Sequence, residues 1–164
     1  MKVLVISDIH GSVNDLNTIL KKEEFDKLFI LGDLYYHGPR NPLPEGYNSM
    51  KTSEILNSLK DKIVCVRGNC DAEVDQMISE FEILDRADIE IDGVKYTLTH
   101  GHRYNETNLP ENCGDVLLLG HTHVKVEKVV NGIKILNPGS ISIPKDGSKS
   151  YIVIDNVKII FRRL

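Results

Sequence analysis

The chain has 164 residues, 41% hydrophobic and 27% charged, with a formal net charge of −4. That is enough for a single domain spanning 1–164 to bury a core without disulfides. The acidic balance argues against a nucleic-acid partner, which usually meets a basic face. It leaves phosphate-bearing substrates open, because bound cations can reverse a local field. Cys65, Cys70 and Cys113 are odd in number and share no C-x-x-C spacing, which disfavours a disulfide framework or a cysteine-rich zinc site. The first apolar run, Val3 to Ile6, is too short for a signal peptide, and no segment approaches a membrane span. These features predict a reduced, cytoplasmic domain with no membrane partner.

In chain order, Lys2–Ser7 has a continuous apolar strand pattern. Ser12 with Asp15 three residues on predicts a capping box, opening a helix whose apolar face is Val13, Leu16, Ile19 and Leu20. Lys27–Leu31 is the next strand. Ser49–Leu59 reads as a second helix, with Ile55, Leu56 and Leu59 inward, and Ile63–Val66 as a third strand. Cys65 within it reads as a small core hydrophobe. Asp71 is expected to cap a short helix carrying Val74, Met77 and Ile78.

The second half turns to β-structure. Strands Ile89–Ile91 and Val94–Thr99 flank Asp92-Gly93, and Val124–Val130 and Ile133–Leu136 flank Asn131-Gly132; both dipeptides signal type I′ hairpins. Ser150–Ile154 and Val157–Phe161 are expected to pair across Asp155-Asn156 in the same way. Strand–helix alternation followed by hairpins predicts two sheets packed face to face, with helices outside. Tyr35–Asn48 holds Pro39, Pro42, Pro44, Gly38 and Gly46, so it is neither helix nor strand. Loops this long are uncommon in compact domains and often functional.

Five polar blocks follow apolar runs: Asp8-Ile9-His10, Gly32-Asp33, Gly68-Asn69-Cys70-Asp71, His100-Gly101-His102 and Gly120-His121-Thr122-His123. Parallel strands bring their carboxyl ends to one rim, so these blocks can converge. In extended backbone Asp8 and His10 would share a face, as would His121 and His123. Asp33, after a glycine that permits close approach, has two oxygens with which to bridge two cations. Each block alone has an ordinary explanation as a cap, a turn or a solvated histidine. Four histidines and three other donors, all at strand ends, together predict a metal site with ligands for two ions.

Asp8-x-His10, Gly32-Asp33, Gly68-Asn69, His100 and Gly120-His121-x-His123 occur in the order of the calcineurin-like metallophosphoesterase motifs. The chain resembles that superfamily over nearly its whole length. Within it, the insertion from His37 to Tyr47 and the Gly68-Asn69-Cys70-Asp71 block look most like the small bacterial YfcE-type phosphodiesterases. The resemblance implies a four-layer αββα sandwich of two mixed β-sheets flanked by helices. It also implies one ion on Asp8, His10, Asp33 and His123 and a second on Asp33, Asn69, His100 and His121, with Asp33 bridging. Mixed imidazole and oxygen ligands suit manganese, zinc, iron or nickel better than a calcium cage, and manganese is the expected ion. The implied reaction is hydrolysis of a small phosphodiester, by attack of a metal-bridging hydroxide on phosphorus.

Many relatives carry histidine where this chain has Cys70, whose thiol is a poorer hydrogen-bond donor. Weak help to the leaving oxygen is therefore expected, and with it a preference for aryl over alkyl diesters. In the long loop, Arg40 is a candidate phosphate clamp and His37 a candidate proton donor or substrate contact. His102 is placed to orient a ligand. Two roles fit the proline-rich loop, closing a partner's site in a homo-oligomer or covering its own. Alternative readings are a phosphomonoesterase or nucleotide phosphoesterase using the same site, or a protein-interaction scaffold. The last is the use that a eukaryotic coat-complex subunit makes of this fold.

Overall fold

The strands are Lys2–Ile6 (β1), Lys27–Ile30 (β2), Ile63–Val66 (β3), Ile83–Leu84 (β4), Ala87–Ile91 (β5), Val94–Leu98 (β6), Val116–Leu118 (β7), Lys125–Val130 (β8), Ile133–Pro138 (β9), Ser150–Asp155 (β10) and Lys158–Arg163 (β11). In the computed structural model, which describes residues 1–164, they form two mixed sheets. One runs β11-β10-β1-β2-β3-β4 and the other β5-β6-β7-β9-β8. Strands β1 to β4 are parallel, as are β6, β7 and β9, and the antiparallel hairpins sit at the edges.

The near-continuous apolar runs of β1 and β2 are those of strands buried on both faces. Val3, Val5, Phe29 and Leu31 point into a cluster shared with Tyr96, Leu98, Leu118 and Leu136 of the second sheet. Leu4, Ile6, Leu28 and Ile30 point the other way, onto Leu16 and Ile19 of helix Val13–Lys22 (α1) and Leu56 of helix Ser49–Asn57 (α2). Burying each such side chain contributes about 1.5–3 kcal/mol, so β1 and β2 are the rigid support of the rim at their carboxyl ends. Cys65 packs into the helix-side cluster, as its sequence context suggests.

The sandwich of two mixed sheets is as expected, but its outer layers differ. The helices α1, α2 and Glu73–Ile78 (α3) all face the six-stranded sheet. The outer face of the five-stranded sheet, Leu117, Leu119 and Ile135, is covered instead by Leu109 and Cys113 of an irregular segment.

Two local expectations are overturned. Asp71 does not cap α3: the cap position is Ala72, and Asp71 bonds backbone amides of the loop after β2 and of its own loop. Of the apolar residues that α3 carries, Val74 and Met77 are 56% and 83% exposed, and Ile78 packs against the core. The last hairpin turns one residue later than the composition suggests, with Asp155 paired to Lys158 and Asn156-Val157 at the corner. Asn156 and Val157 have φ of 45° and 68°, a region costly for a β-branched side chain. Hydrogen bonding by the Met1 amino group to Asn156 Oδ1 at 3.0 Å helps to hold that corner. The Asp92-Gly93 and Asn131-Gly132 turns are as expected, with positive φ at both residues of each.

The long loop is docked rather than free. Asn48 N donates to Gly11 O at 2.9 Å and Val13 N to Gly46 O at 3.4 Å, fastening the loop's end to the start of α1. Half of the capping box there is as expected: Ser12 Oγ accepts from Asp15 N. The Asp15 carboxylate accepts from Ser12 Oγ and pairs with Lys149 at 2.7 Å, while Ser12 N donates to Ile9 O.

Candidate metal centre

The carboxyl ends of β1, β2 and β3 in one sheet, and of β6 and β7 in the other, lead into the five polar blocks. The backbone ladder continues past the strands, with Asp8 N on Gly32 O at 3.1 Å, His10 N on Asp33 O at 3.0 Å and Gly120 N on His100 O at 2.7 Å. These bonds hold the blocks side by side. The expectation of extended backbone within them is not met. Asp8, His10, Asp33, His121 and His123 have φ of 54°, 47°, 57°, 71° and 59°. Asp and His tolerate this left-handed region better than most residues, at a cost of about 1–3 kcal/mol each when tertiary structure enforces it. Such strain gathers where side chains must be aimed.

Seven donor atoms converge. Asp8 Oδ1 lies 3.1 Å from His123 Nε2 and 3.6 Å from His10 Nε2, and the two ring nitrogens are 3.4 Å apart. Asp33 Oδ2 lies 3.5 Å from His10 Nε2 and 3.3 Å from His100 Nε2, so one oxygen belongs to both sides. On the second side, Asn69 Oδ1 is 3.0 Å from His100 Nε2 and 2.9 Å from His121 Nδ1. Ligands about 2.1 Å from one ion and at right angles to each other lie about 3 Å apart, which is the spacing seen. All seven residues expected as ligands are therefore brought together.

The atoms behind these donors fix their roles. His10 Nδ1 meets Tyr36 O at 2.7 Å, His100 Nδ1 meets Leu31 O at 2.6 Å and His123 Nδ1 meets Ile143 O at 2.7 Å. A carbonyl can only accept, so each ring carries its proton on Nδ1 and turns the Nε2 lone pair inward. Asp8 Oδ2 accepts from Ser7 Oγ at 2.6 Å and from His121 N at 3.0 Å, while Asp8 Oδ1 is buried without a hydrogen bond. Asp33 Oδ1 accepts from Cys70 N at 2.9 Å, leaving Oδ2 to face the histidines. Inward lone pairs around an orphaned carboxylate oxygen repel one another unless a cation or a proton sits among them. The donor set fits divalent ions.

Electrostatics agree. Burial disfavours the Asp8 carboxylate, but the imidazoles of His10 and His123 outweigh it and hold its pKa well below the usual range. Burial likewise opposes charge on His100, yet the Asp33 carboxylate and the Asp8 charge lift its pKa to about 9. The pocket is thus a negative well that takes up protons when no other cation is present.

Two glycines are needed for this approach. A Cβ on Gly68 would collide with the Asp33 carboxylate, and one on Gly120 would meet Ser7 Oγ and, at 2.8 Å, Asp8 Oδ2.

Cys70 and Arg40 line one cavity, and His37 does not. Cys70 Sγ groups with donors of His10 and Asp33, and a Cβ on Gly38 of the long loop would come within 3.2 Å of it. Burial, with the charges of Asp33, Asp71 and Asp8, pushes its thiol up to about 12. Arg40 lines a cavity of about 790 Å³ together with Tyr36, Asn69, Cys70, His121 and His123. His37 does not line it; its ring packs between Tyr36 and Tyr47, at 4.7 and 5.5 Å. His102 stands 5.4 Å from His100, ring to ring, without a hydrogen bond to any ligand.

Sequence reasoning missed two supports. Asp71 accepts from Asp33 N at 2.8 Å, Leu34 N at 2.9 Å and Gly68 N at 2.7 Å, tying the β2 and β3 loops together. Burial and the nearby Asp33 charge raise its pKa to about 6, against the pull of those amides. After β9, Ser140 Oγ and Ser142 Oγ both donate to Asp8 O at 2.9 Å, and near the end of β9 Asn137 Nδ2 donates to Gly120 O at 2.9 Å. The signal was there: Asn137-Pro138-Gly139-Ser140 follows an apolar strand as the ligand blocks do.

Residues 1–158 match the calcineurin-like phosphoesterase superfamily domain. The chain belongs to this superfamily. It is 45% identical over 162 residues to the phosphodiesterase YfcE of Escherichia coli K12, covering 95% of this chain and 88% of that one. The solved structure of E. coli YfcE, described as a phosphoesterase, superposes with a TM-score of 0.90 at 40% identity, over 100% of this chain and 98% of that one. A Vps29 from Entamoeba histolytica aligns over 100% of this chain and 98% of its own, with a TM-score of 0.65 at 20% identity, a likeness of fold alone. The superfamily implies divalent metals, and no helix is long and apolar enough to cross a membrane.

Proposed function

We propose that this chain hydrolyses small phosphodiesters at two adjacent divalent-ion sites, with manganese as the working ion and zinc, iron or nickel as substitutes. Asp8, His10, Asp33 and His123 hold one, and Asp33, Asn69, His100 and His121 the other. The observation that carries the reading is the pair of donor sets meeting at Asp33 Oδ2, beside the orphaned Asp8 Oδ1. The name of the E. coli relative supports the diester class.

When bound, two such ions supply an activated water at neutral pH and Lewis-acid stabilisation of phosphoryl oxygens. The chain provides the frame. Asp8 and Asp33 return about −2 against +4, leaving about +2 to draw a phosphate to an acidic protein. The backbone carbonyls behind His10, His100 and His123 keep the donors aimed before substrate arrives, so little reorganisation is needed during reaction. Arg40, on the groove wall, presents a fork that can grip two phosphate oxygens. Cys70, beside Asp33, offers only a weak S–H donor to a departing alkoxide. His37, packed between two tyrosines, shapes the loop rather than touching the substrate.

The test is hydrolysis of bis(p-nitrophenyl) phosphate and p-nitrophenyl phosphate by chelator-stripped protein, before and after manganese. Metal-restored turnover favouring the diester is expected; silence despite two bound ions per chain would overturn the reading. Cys70→His should narrow the preference for aryl over alkyl diesters by about tenfold, a modest share of general-acid assistance. An unchanged ratio would remove Cys70 from leaving-group chemistry, and unchanged kcat and KM in Arg40→Ala would remove the clamp.

A further inference from the structure

Two cavities meet at the metal centre, and Asn69 lines both. The larger, of about 790 Å³, has Pro39, Pro42, Ile143 and Pro144 in its walls. The second, of about 450 Å³, opens beside His100 and His102 and is walled by Arg67, Arg86 and Arg103. A phosphodiester has two ester arms, so phosphorus held between the donor sets can send one arm into each cavity. The two arms then meet different chemistry.

The arginines of the second cavity are not equivalent. Arg86 is already engaged, with Nε and Nη2 on the two oxygens of Asp88 at 2.7 and 2.9 Å and Nη1 on Glu111 O at 2.7 Å. Arg67 spends only Nε, on Asp71 O at 3.1 Å. The Arg103 side chain makes no hydrogen bond or ion pair within the chain, and neither free arginine is paired with Asp85, the exposed carboxylate of this cavity. The other carboxylate there, Asp71, is buried and taken up by three backbone amides. Two guanidinium groups from separate loops therefore face one space next to Asn69 and His100, with donors to spare.

We propose that this second cavity binds a second phosphate of the substrate, between Arg67 and Arg103. The chain is then suited to diesters with one arm ending in a phosphate, since the guanidinium fork matches phosphate oxygens in pairs. This rests on the phosphodiesterase reading above and narrows its substrate class.

The test is calorimetric titration of manganese-loaded protein with thymidine 5′-phosphate and with thymidine 3′,5′-bisphosphate, alongside turnover of bis(p-nitrophenyl) phosphate by the same samples. The bisphosphate should bind about tenfold or more tightly, as charge-assisted hydrogen bonds allow. That advantage should shrink towards one in Arg67→Ala and in Arg103→Ala, and persist in the remote Arg163→Ala. Equal affinities in the unaltered protein, or an advantage that neither cavity substitution reduces, would overturn the subsite. If bis(p-nitrophenyl) phosphate is turned over all the same, hydrolysis stands and only the subsite falls. An arginine-dependent advantage without such turnover would uphold the subsite and sink the hydrolytic reading.

Discussion

The same backbone geometry occurs at two places in this molecule for opposite reasons. At the rim, Asp8, His10, Asp33, His121 and His123 take positive φ with side chains at or near the metal centre. At the hairpin corners, Asp92, Asn131, Asn156 and Val157 take it with side chains in solvent. The corners use left-handed residues because a two-residue turn must match the twist of its strands, and any residue that tolerates the region will serve. The rim uses them to aim donors, and there glycine would suit the backbone while erasing the chemistry. Strain in a turn is borne by the turn's own few residues; strain at the rim is held by the sheets beneath it.

The sharpest way to break this comparison is one substitution made in both places. Asp33→Gly relaxes a backbone at φ 57°, yet it removes the oxygen shared by both donor sets and the acceptor of Cys70 N. Metal-dependent turnover should fall by more than ~10³-fold, since both proposed sites would lose a ligand and not merely a supporting contact. The stabilisation by metal should vanish too. Ions at 100 times their Kd stabilise the folded state by about 2.7 kcal/mol, readable as a rise in Tm that the variant lacks. Retained activity would mean that Asp33 is a turn residue like the others.

Protons should stand in for ions in the stripped protein. His100 is raised to about 9 in the folded state, above an unfolded value of about 6.5. A raised histidine contributes stability fully below the unfolded pKa and loses it as pH rises through the folded one. Stripped protein should therefore lose up to about 3 kcal/mol between pH 6.5 and 9. Manganese should flatten that slope, because an ion on Nε2 displaces the proton. Urea unfolding across this range, with and without metal, decides it; a flat stripped profile would show that His100 is not the proton's seat.

Asp71 gives a smaller effect. Asp71→Ala leaves three buried amides without their acceptor, at about 1 kcal/mol each. Relief of a buried carboxylate beside Asp33 returns part of this, so a net loss of about 2 kcal/mol is expected. Because those amides position Asp33, manganese affinity should fall as well. Destabilisation with unchanged metal affinity would make Asp71 a fold residue only.

What was legible in the sequence follows the same division. Continuous apolar runs exposed β1, β2 and β3, and a polar residue after each run exposed the candidate donors, because a strand that is apolar to its end has little local use for Asp8, Asp33 or His100. Dipeptides such as Asn131-Gly132 exposed two hairpins. What stayed hidden was which group each polar atom would choose. Asp71 looks like a helix cap by position, yet amides of Asp33 and Leu34, distant in sequence, claim it. His10 is oriented by a carbonyl of the long loop, and main-chain atoms leave no trace in composition. The outer layer was hidden too, since Leu109 and Cys113 cover the second sheet without any helical period.

Val157 is the mild counterpart of Asp33. At φ 68° and about half exposed, it occupies a corner where its neighbour Asn156 already supplies one left-handed residue. A β-branched side chain here costs about 1–2 kcal/mol, whereas glycine gives back about 0.5–1 kcal/mol through the freedom of the unfolded chain. Val157→Gly should thus gain up to about 1 kcal/mol, a rise of roughly 2–4 °C in Tm for a chain of this size, with metal affinity and turnover unmoved. The turn lies beside Met1 and Asp92 rather than at the rim, so no donor shifts with it. A fall in Tm would show that the half-buried Val157 side chain outweighs its backbone cost, and the corners would then depend on packing as the rim does.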